Sequence, residues 1–195
     1  MLNLEIALII LISYLFGSIP FGLILTKIFV GKDIRKIGSG NIGATNVLRS
    51  GNKFIGYLTL TLDILKAVVP ILIVNFFYND QLYLASLSVF IGHVFPVWLK
   101  LRGGKGVATY VGILFSINIY FGIIFAISWF ITFFISKYSS LSSLVGAASI
   151  PIYLLILTQF DQGIFFTIMF VLIFFTHREN IKRLKNKEET KTKIY

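Results

Sequence analysis

Long apolar runs separated by short polar segments set the pattern of this chain. Residues 5 to 26, 54 to 77 and 82 to 98 each approach the ~20 apolar residues that a helix needs to cross a bilayer at about 1.5 Å rise per residue. Gly17, Ser18, Pro20 and Gly22 interrupt the first run, and such residues kink a helix and admit a close neighbour. The apolar stretch from Val107 to Ile135 spans 29 residues, too long for one span and short for two. It is expected to split near Asn118 into helices of roughly 12 to 17 residues, below the usual spanning length. Gly103 to Gly106, just before it, would then form a re-entrant lining. Runs at about 141 to 157 and 163 to 176 follow, then a basic tail. The pattern predicts an all-α integral membrane protein, a compact seven-transmembrane-helix bundle forming one domain over residues 1–195.

Charge orients this bundle. With the N-terminus outside and the C-terminus cytoplasmic, segments 28–53, 99–105, 137–140 and 177–195 lie on the cytoplasmic side and carry 16 of the 18 Lys and Arg. Lys27 borders the first of them, Lys66 falls inside a span, and the opposite loops carry only Asp80 and Asp161. That asymmetry is what the positive-inside rule requires, and fusing 107–135 into one span would scatter the charges over both faces. No Lys or Arg precedes Lys27, so the N-terminus lacks the basic region of a cleaved signal peptide and reads as a retained first span.

Composition agrees, with 56% hydrophobic and 13% charged residues against about a quarter charged in soluble domains. The net charge of +10 has two readings, membrane topology and a site for polyanionic substrates. Nucleic-acid binding is set aside, because the charges are interrupted by apolar spans. Zero Cys excludes disulfides, thiolate metal sites and a cysteine nucleophile.

Three polar segments on the cytoplasmic side are candidates for chemistry. In Gly38 to Arg49 the glycines Gly38, Gly40 and Gly43 let the backbone approach a ligand, Ser39, Asn41, Thr45 and Asn46 add short hydrogen-bonding groups, and Arg49 adds a cation suited to an oxyanion. A solvated loop of turn formers is the alternative. In Arg102-Gly103-Gly104-Lys105-Gly106 the glycines would expose backbone N–H groups beside the Lys105 charge, at the positive end of a helix starting near Val107. The Walker pattern is not matched, and a membrane-surface turn is the alternative. The third segment begins at His177, with Asn180 and Ile181 one turn on and Arg178 and Arg183 on the same turns. Glu179 and Glu188 either orient these cations or are solvated. Asp63 and Lys66, at i and i+3 within the second span, are costly in hydrocarbon unless paired and turned inward, so an internal ion pair is expected.

Ser39 to Arg49, Gly92-His93-Val94-Phe95-Pro96 continuing to Arg102–Thr109, and His177 to Leu184 together resemble the three motifs of the bacterial acyl-phosphate-dependent glycerol-3-phosphate acyltransferases. The resemblance runs nearly end to end, including Gly17 to Pro20 and the Asp63/Lys66 span. It departs at Lys187, where family members often carry a glycine before the final glutamate, here taken as Glu188. The resemblance implies an enzyme of the bacterial cell membrane with its active site on the cytoplasmic face. It would move a fatty acyl group from acyl phosphate to the sn-1 hydroxyl of glycerol 3-phosphate, yielding lysophosphatidic acid and phosphate, without metal, cofactor or covalent nucleophile. By the same analogy Ser39, Asn41 and Lys105 serve the acyl phosphate, and Thr45, Asn46, Arg49, His177 and Asn180 serve glycerol 3-phosphate. Arg102 suits either, Gly38, Gly40, Gly43, Gly103 and Gly104 line the pockets, and His177 or the substrate's own phosphate takes the hydroxyl proton. The acyl chain adds membrane lipid to the partners.

Other chemistries fit less well. An acyltransferase using a His with an Asp five residues later finds Trp98 after His93 and Lys182 after His177. A metal-dependent alcohol phosphotransferase needs several Asp on adjacent helical turns, where this chain offers Asp63. A carrier of small organic phosphates remains compatible with broken helices and anion-binding ends, although no inverted repeat is visible.

Overall fold

A computed structural model describes residues 4–192, in which ten α-helices separate into two compact units, Met1–Ile117 and Asn118–Tyr195. The first unit holds α1 (Leu4–Gly17), α2 (Phe21–Val30), α3 (Ala44–Arg49), α4 (Lys53–Phe77), α5 (Leu82–Val94) and α6 (Val107–Ile117). The expected first span is thus two helices, because the chain breaks at Ser18–Pro20. A break inside a membrane must find partners for its freed carbonyls. Trp98 Nε1 donates to the Ser18 carbonyl at 2.7 Å and Lys66 Nζ to that of Ile19 at 2.7 Å.

α1 crosses α5 at backbone contact. A Cβ on Gly17 would run into the Val89 backbone, and one on Gly92 into the Tyr14 carbonyl, so both positions require glycine. The Tyr14 hydroxyl closes the crossing, donating to Phe95 O at 2.7 Å and accepting from Val97 N at 3.1 Å. α4 packs against α1, α2, α3, α5 and α6. On its polar side a small core of Leu23, Leu25, Ile34, Ile42, Val47 and Ile55 forms under the segment between α2 and α4, with Leu99 packed against it.

The second unit holds α7 (Ile119–Ser136), α8 (Ser139–Ile156), α9 (Phe160–Thr176) and α10 (Arg178–Lys185). The long apolar stretch divides at Asn118 as expected, and the Asn118 side chain caps α7 by accepting from Tyr120 N at 2.9 Å. α8 packs between α7 and α9. Trp129 Nε1 donates to Ser143 Oγ at 3.3 Å across the first contact, and the Phe121 and Phe166 rings meet edge to face at 5.3 Å. α9 and α10 bend by 62° at His177.

Leu4–Val30, Lys53–Phe77, Asn79–Leu99, Ile119–Ser136 and Ser139–Ile156 are long and apolar enough to cross a membrane, and the bent α9–α10 pair makes a sixth. α6, at 11 residues, falls short by itself. Length and apolarity therefore support five or six spans where the pattern predicted seven. Large apolar side chains such as Leu4, Phe76, Ile135 and Ile156 stand exposed along these helices, the surface of a multi-pass membrane protein facing lipid.

Candidate functional site

The segment that precedes α4 is shaped by one residue. Asn46, 2% exposed, donates its Nδ2 to the carbonyls of Asn41 at 2.8 Å, Ile37 at 2.9 Å and Ile34 at 3.2 Å, and its Oδ1 accepts from Ser39 N at 3.0 Å. A side chain predicted to hold substrate is therefore occupied in folding the loop. Gly38 (φ 56°) and Gly40 (φ 71°) make the reversals this requires, and a Cβ on Gly38 would meet Asn46 Oδ1. Asp33 starts the segment, accepting from the Arg35 backbone N at 3.0 Å and pairing with the Arg35 guanidinium at 2.6 Å. The Arg35 side-chain hydrogen bond is the main reason its carboxyl sits well below the usual carboxylate range. Ser39 and Arg49 are left exposed, and Asn41, Gly43 and Thr45 partly so.

The glycine run is built on the end of α5. Gly103 N donates to Val94 O at 3.0 Å and Gly104 N to His93 O at 3.1 Å. The expectation that both glycines present N–H groups to a ligand is corrected here, since a helix C-terminus leaves carbonyls without partners and these two amides satisfy them. Gly106 turns at φ 85° over the Phe90 ring, and α6 begins at the next residue with its positive end toward the run. Arg102 is exposed and Lys105 half-buried.

Below this run lies a charged cluster. Lys66 Nζ is 2.7 Å from Asp63 Oδ1, both side chains being buried, which is the expected internal ion pair. Oδ1 has only that ammonium beside it, and His93 Nδ1, 4.0 Å from Oδ1, is buried without a hydrogen-bond partner.

In the second unit His177 sits at the α9–α10 bend, 2% exposed, with Nδ1 2.8 Å from Ile173 O. A carbonyl only accepts, so Nδ1 carries the hydrogen and neutral His177 keeps its lone pair on Nε2. Asn180, one turn on and 5% exposed, donates to Glu189 Oε1 at 2.7 Å; Ser140 donates to the same oxygen at 2.9 Å and Arg183 to Oε2 at 2.7 Å. Burial alone would raise the Glu189 carboxyl, and the hydrogen bonds from Arg183, Asn180 and Ser140 outweigh it and hold it below its ordinary value. Glu189 is thus the glutamate that organises the tail. Glu179 and Glu188, the two considered from sequence, are exposed. The signal for this register was Lys187, whose φ of 59° is a left-handed turn where a glycine is at ease. Among the described residues no three His, Asp or Glu gather as a metal site would need.

The geometry defines two anion-suited polar segments in the first unit and a buried His–Asn pair in the second, on a multi-pass membrane scaffold. A family model described as glycerol-3-phosphate acyltransferase matches residues 7–187. The glycerol-3-phosphate acyltransferase of Pelagibacter ubique (strain HTCC1062) is 69% identical over 192 residues, covering 98% of this chain and 100% of that one. The crystal structure of PlsY (YgiH), an integral membrane glycerol 3-phosphate acyltransferase, superposes in its glycerol 3-phosphate form with a TM-score of 0.90 at 33% identity, covering 97% of this chain and 96% of that chain. Its lysophosphatidic acid form gives 0.87 at 31%, with the same coverage. The chain belongs to the glycerol-3-phosphate acyltransferase family.

Proposed function

We propose that the chain transfers a fatty acyl group from acyl phosphate to the sn-1 hydroxyl of glycerol 3-phosphate, producing lysophosphatidic acid and inorganic phosphate at the cytoplasmic face of a bacterial plasma membrane. The observation that carries this reading is the match over 97% of the chain to PlsY in both its glycerol 3-phosphate form and its lysophosphatidic acid form, an acceptor and a product of that transfer.

The chemistry asks for little beyond charge and placement. Acyl phosphate is a mixed anhydride; the sn-1 oxygen bonds to the acyl carbon, the bond to phosphate oxygen breaks, and phosphate leaves with the electron pair. Binding two anions together and stabilising the charge that builds on the acyl oxygen accounts for most of such a rate enhancement. Ser39, Asn41 and Lys105 are assigned to the acyl phosphate, Thr45, Arg49, His177 and Asn180 to glycerol 3-phosphate, and Arg102 to either. Gly38, Gly40 and Gly43 allow the loop to approach a phosphate. Gly103 and Gly104 carry the run that leads to Lys105, and Asn46 holds the loop. The Nδ1–H bond from His177 to Ile173 supports His177 Nε2 as acceptor of the hydroxyl proton, with the departing phosphate as the other base.

Protein purified in detergent and given palmitoyl phosphate and glycerol 3-phosphate is expected to release inorganic phosphate only when both are present. Uptake of glycerol 3-phosphate into liposomes without phosphate release would replace the enzyme with a carrier. The seven-span arrangement, N-terminus outside, puts residue 79 on the periplasmic side. The chain has no Cys, so Asn79→Cys is a unique label site, and protection of it from an impermeant maleimide in intact cells would reverse the topology.

A further inference from the structure

We propose that His93 is a positioning residue for the glycine run that carries Lys105, and that the Asp63–Lys66 ion pair fixes its imidazole. The proposal rests on the reading of Lys105 as a ligand of acyl phosphate. His93 meets the run twice. Its carbonyl accepts the Gly104 N–H at 3.1 Å, and its imidazole, through Nε2, fills the space that a Cβ on Gly104 would take. The other ring nitrogen, Nδ1, turns the opposite way, toward Asp63 Oδ1 at 4.0 Å.

Nδ1 has no hydrogen-bond partner and Oδ1 has only the Lys66 ammonium beside it, and Asp63 and His93 are 2% and 4% exposed. A buried ring nitrogen without a partner, facing a carboxylate oxygen that can accept a second donor, makes one missing bond, and closing the gap by about 1 Å forms it. An Nδ1–H donated to Asp63 leaves the Nε2 lone pair facing the loop, fixing the tautomer as a carboxylate behind a histidine does elsewhere. Asp63 is itself fixed: Lys66 Nζ holds its Oδ1 at 2.7 Å and anchors to Ile19 O at 2.7 Å. Position therefore passes from the broken first span through α4 and His93 to Gly104, whose neighbour is Lys105. Asp63 and His93 touch no substrate in this scheme.

The test compares Asp63→Leu, which removes the acceptor, His93→Phe and the double variant. His93→Phe keeps a ring against Gly104 and leaves the ion pair intact while removing the Nδ1 donor. Each single variant is expected to weaken equilibrium binding of palmitoyl phosphate and raise its KM by roughly tenfold, with KM for glycerol 3-phosphate changed less than twofold. The double variant is expected to be no worse than the more affected single one, because one bond is lost in all three. A purely structural role would lower the melting temperature and the folded yield while the surviving enzyme kept both KM values; that result, or an equal rise in both KM values, overturns the proposal. Wild-type protein that turns over beside variants that match it removes the positioning role alone. Wild-type protein that neither binds nor turns over palmitoyl phosphate removes the functional reading, and the positioning role with it.

Discussion

The segment between α2 and α4 and the tail after α10 are both polar and held by a single buried side chain, but one pin is neutral and the other charged. Asn46 is an amide that both donates and accepts, and it satisfies three carbonyls and one N–H of its own loop. Glu189 only accepts, and it gathers donors from α8 and α10. An amide suits a loop that ties itself together, since backbone offers both kinds of partner. A carboxylate suits a tail that must be fastened to helices, since charge-assisted bonds are the stronger ones. The Asn46 pin thus holds whatever the pH, whereas the tail's attachment depends on ionisation.

Removing the neutral pin is expected to have the largest effect. Asn46→Leu leaves Ser39 N and the Asn41 carbonyl without a partner and takes the second donor from the Ile34 and Ile37 carbonyls, and at about 1–3 kcal/mol for each buried group so orphaned the loop loses its shape. Turnover is expected to fall at least a hundredfold; a variant within threefold of wild type would show that the loop is held by something else. Asn46→Asp is expected to rescue little, since a carboxylate cannot donate to three carbonyls.

Glu189→Gln is the matching change in the tail. It keeps the shape and removes the charge that Arg183 meets, so a smaller loss of about 1–3 kcal/mol is expected, read as a lower melting temperature in detergent. Acid should mimic it in the wild type. The folded carboxyl lies below its ordinary value of 4.5, so its contribution is fully present above that value and is lost as pH falls through the folded value. Melting temperature is expected to drop below about pH 4.5 in the wild type and to flatten there in Glu189→Gln. The same slope in both proteins would assign the acid sensitivity to another group.

The smallest effect tests the register of the tail. Lys187 adopts φ 59°, which costs a side-chain-bearing residue roughly 1–2 kcal/mol. Lys187→Gly is expected to raise the melting temperature slightly, and a fall would mean that the Lys187 side chain makes contacts worth more than the strain.

These pins also mark where sequence reading stops. The helices were legible because an uninterrupted apolar run has few alternatives in a bilayer, and the split at Asn118 followed from length. Pro20 announced a bend, but not that Lys66 and Trp98 would be there to satisfy a complete break. The segments rich in glycine and polar residues were legible as sites, while the direction of each polar group was not. Asn46 carries the same amide whether it faces a phosphate or its own backbone. Gly103 and Gly104 looked like donors to a ligand because nothing in their sequence says that α5 ends beside them. Glu189 was missed because its neighbour Glu188 is chemically equal, and the turn that separates their fates is made by a lysine.

The crossing of α1 and α5 bears on how the chain is made. The Ser18 carbonyl waits for Trp98, 80 residues further on, and Tyr14 waits for Phe95 and Val97, 81 and 83 residues on. A ribosome delivers the first span to the membrane long before those partners exist. The nascent break at Ser18–Pro20 must therefore stay near water, headgroups or the insertion machinery until the third apolar segment arrives, so assembly of this region is timed by translation.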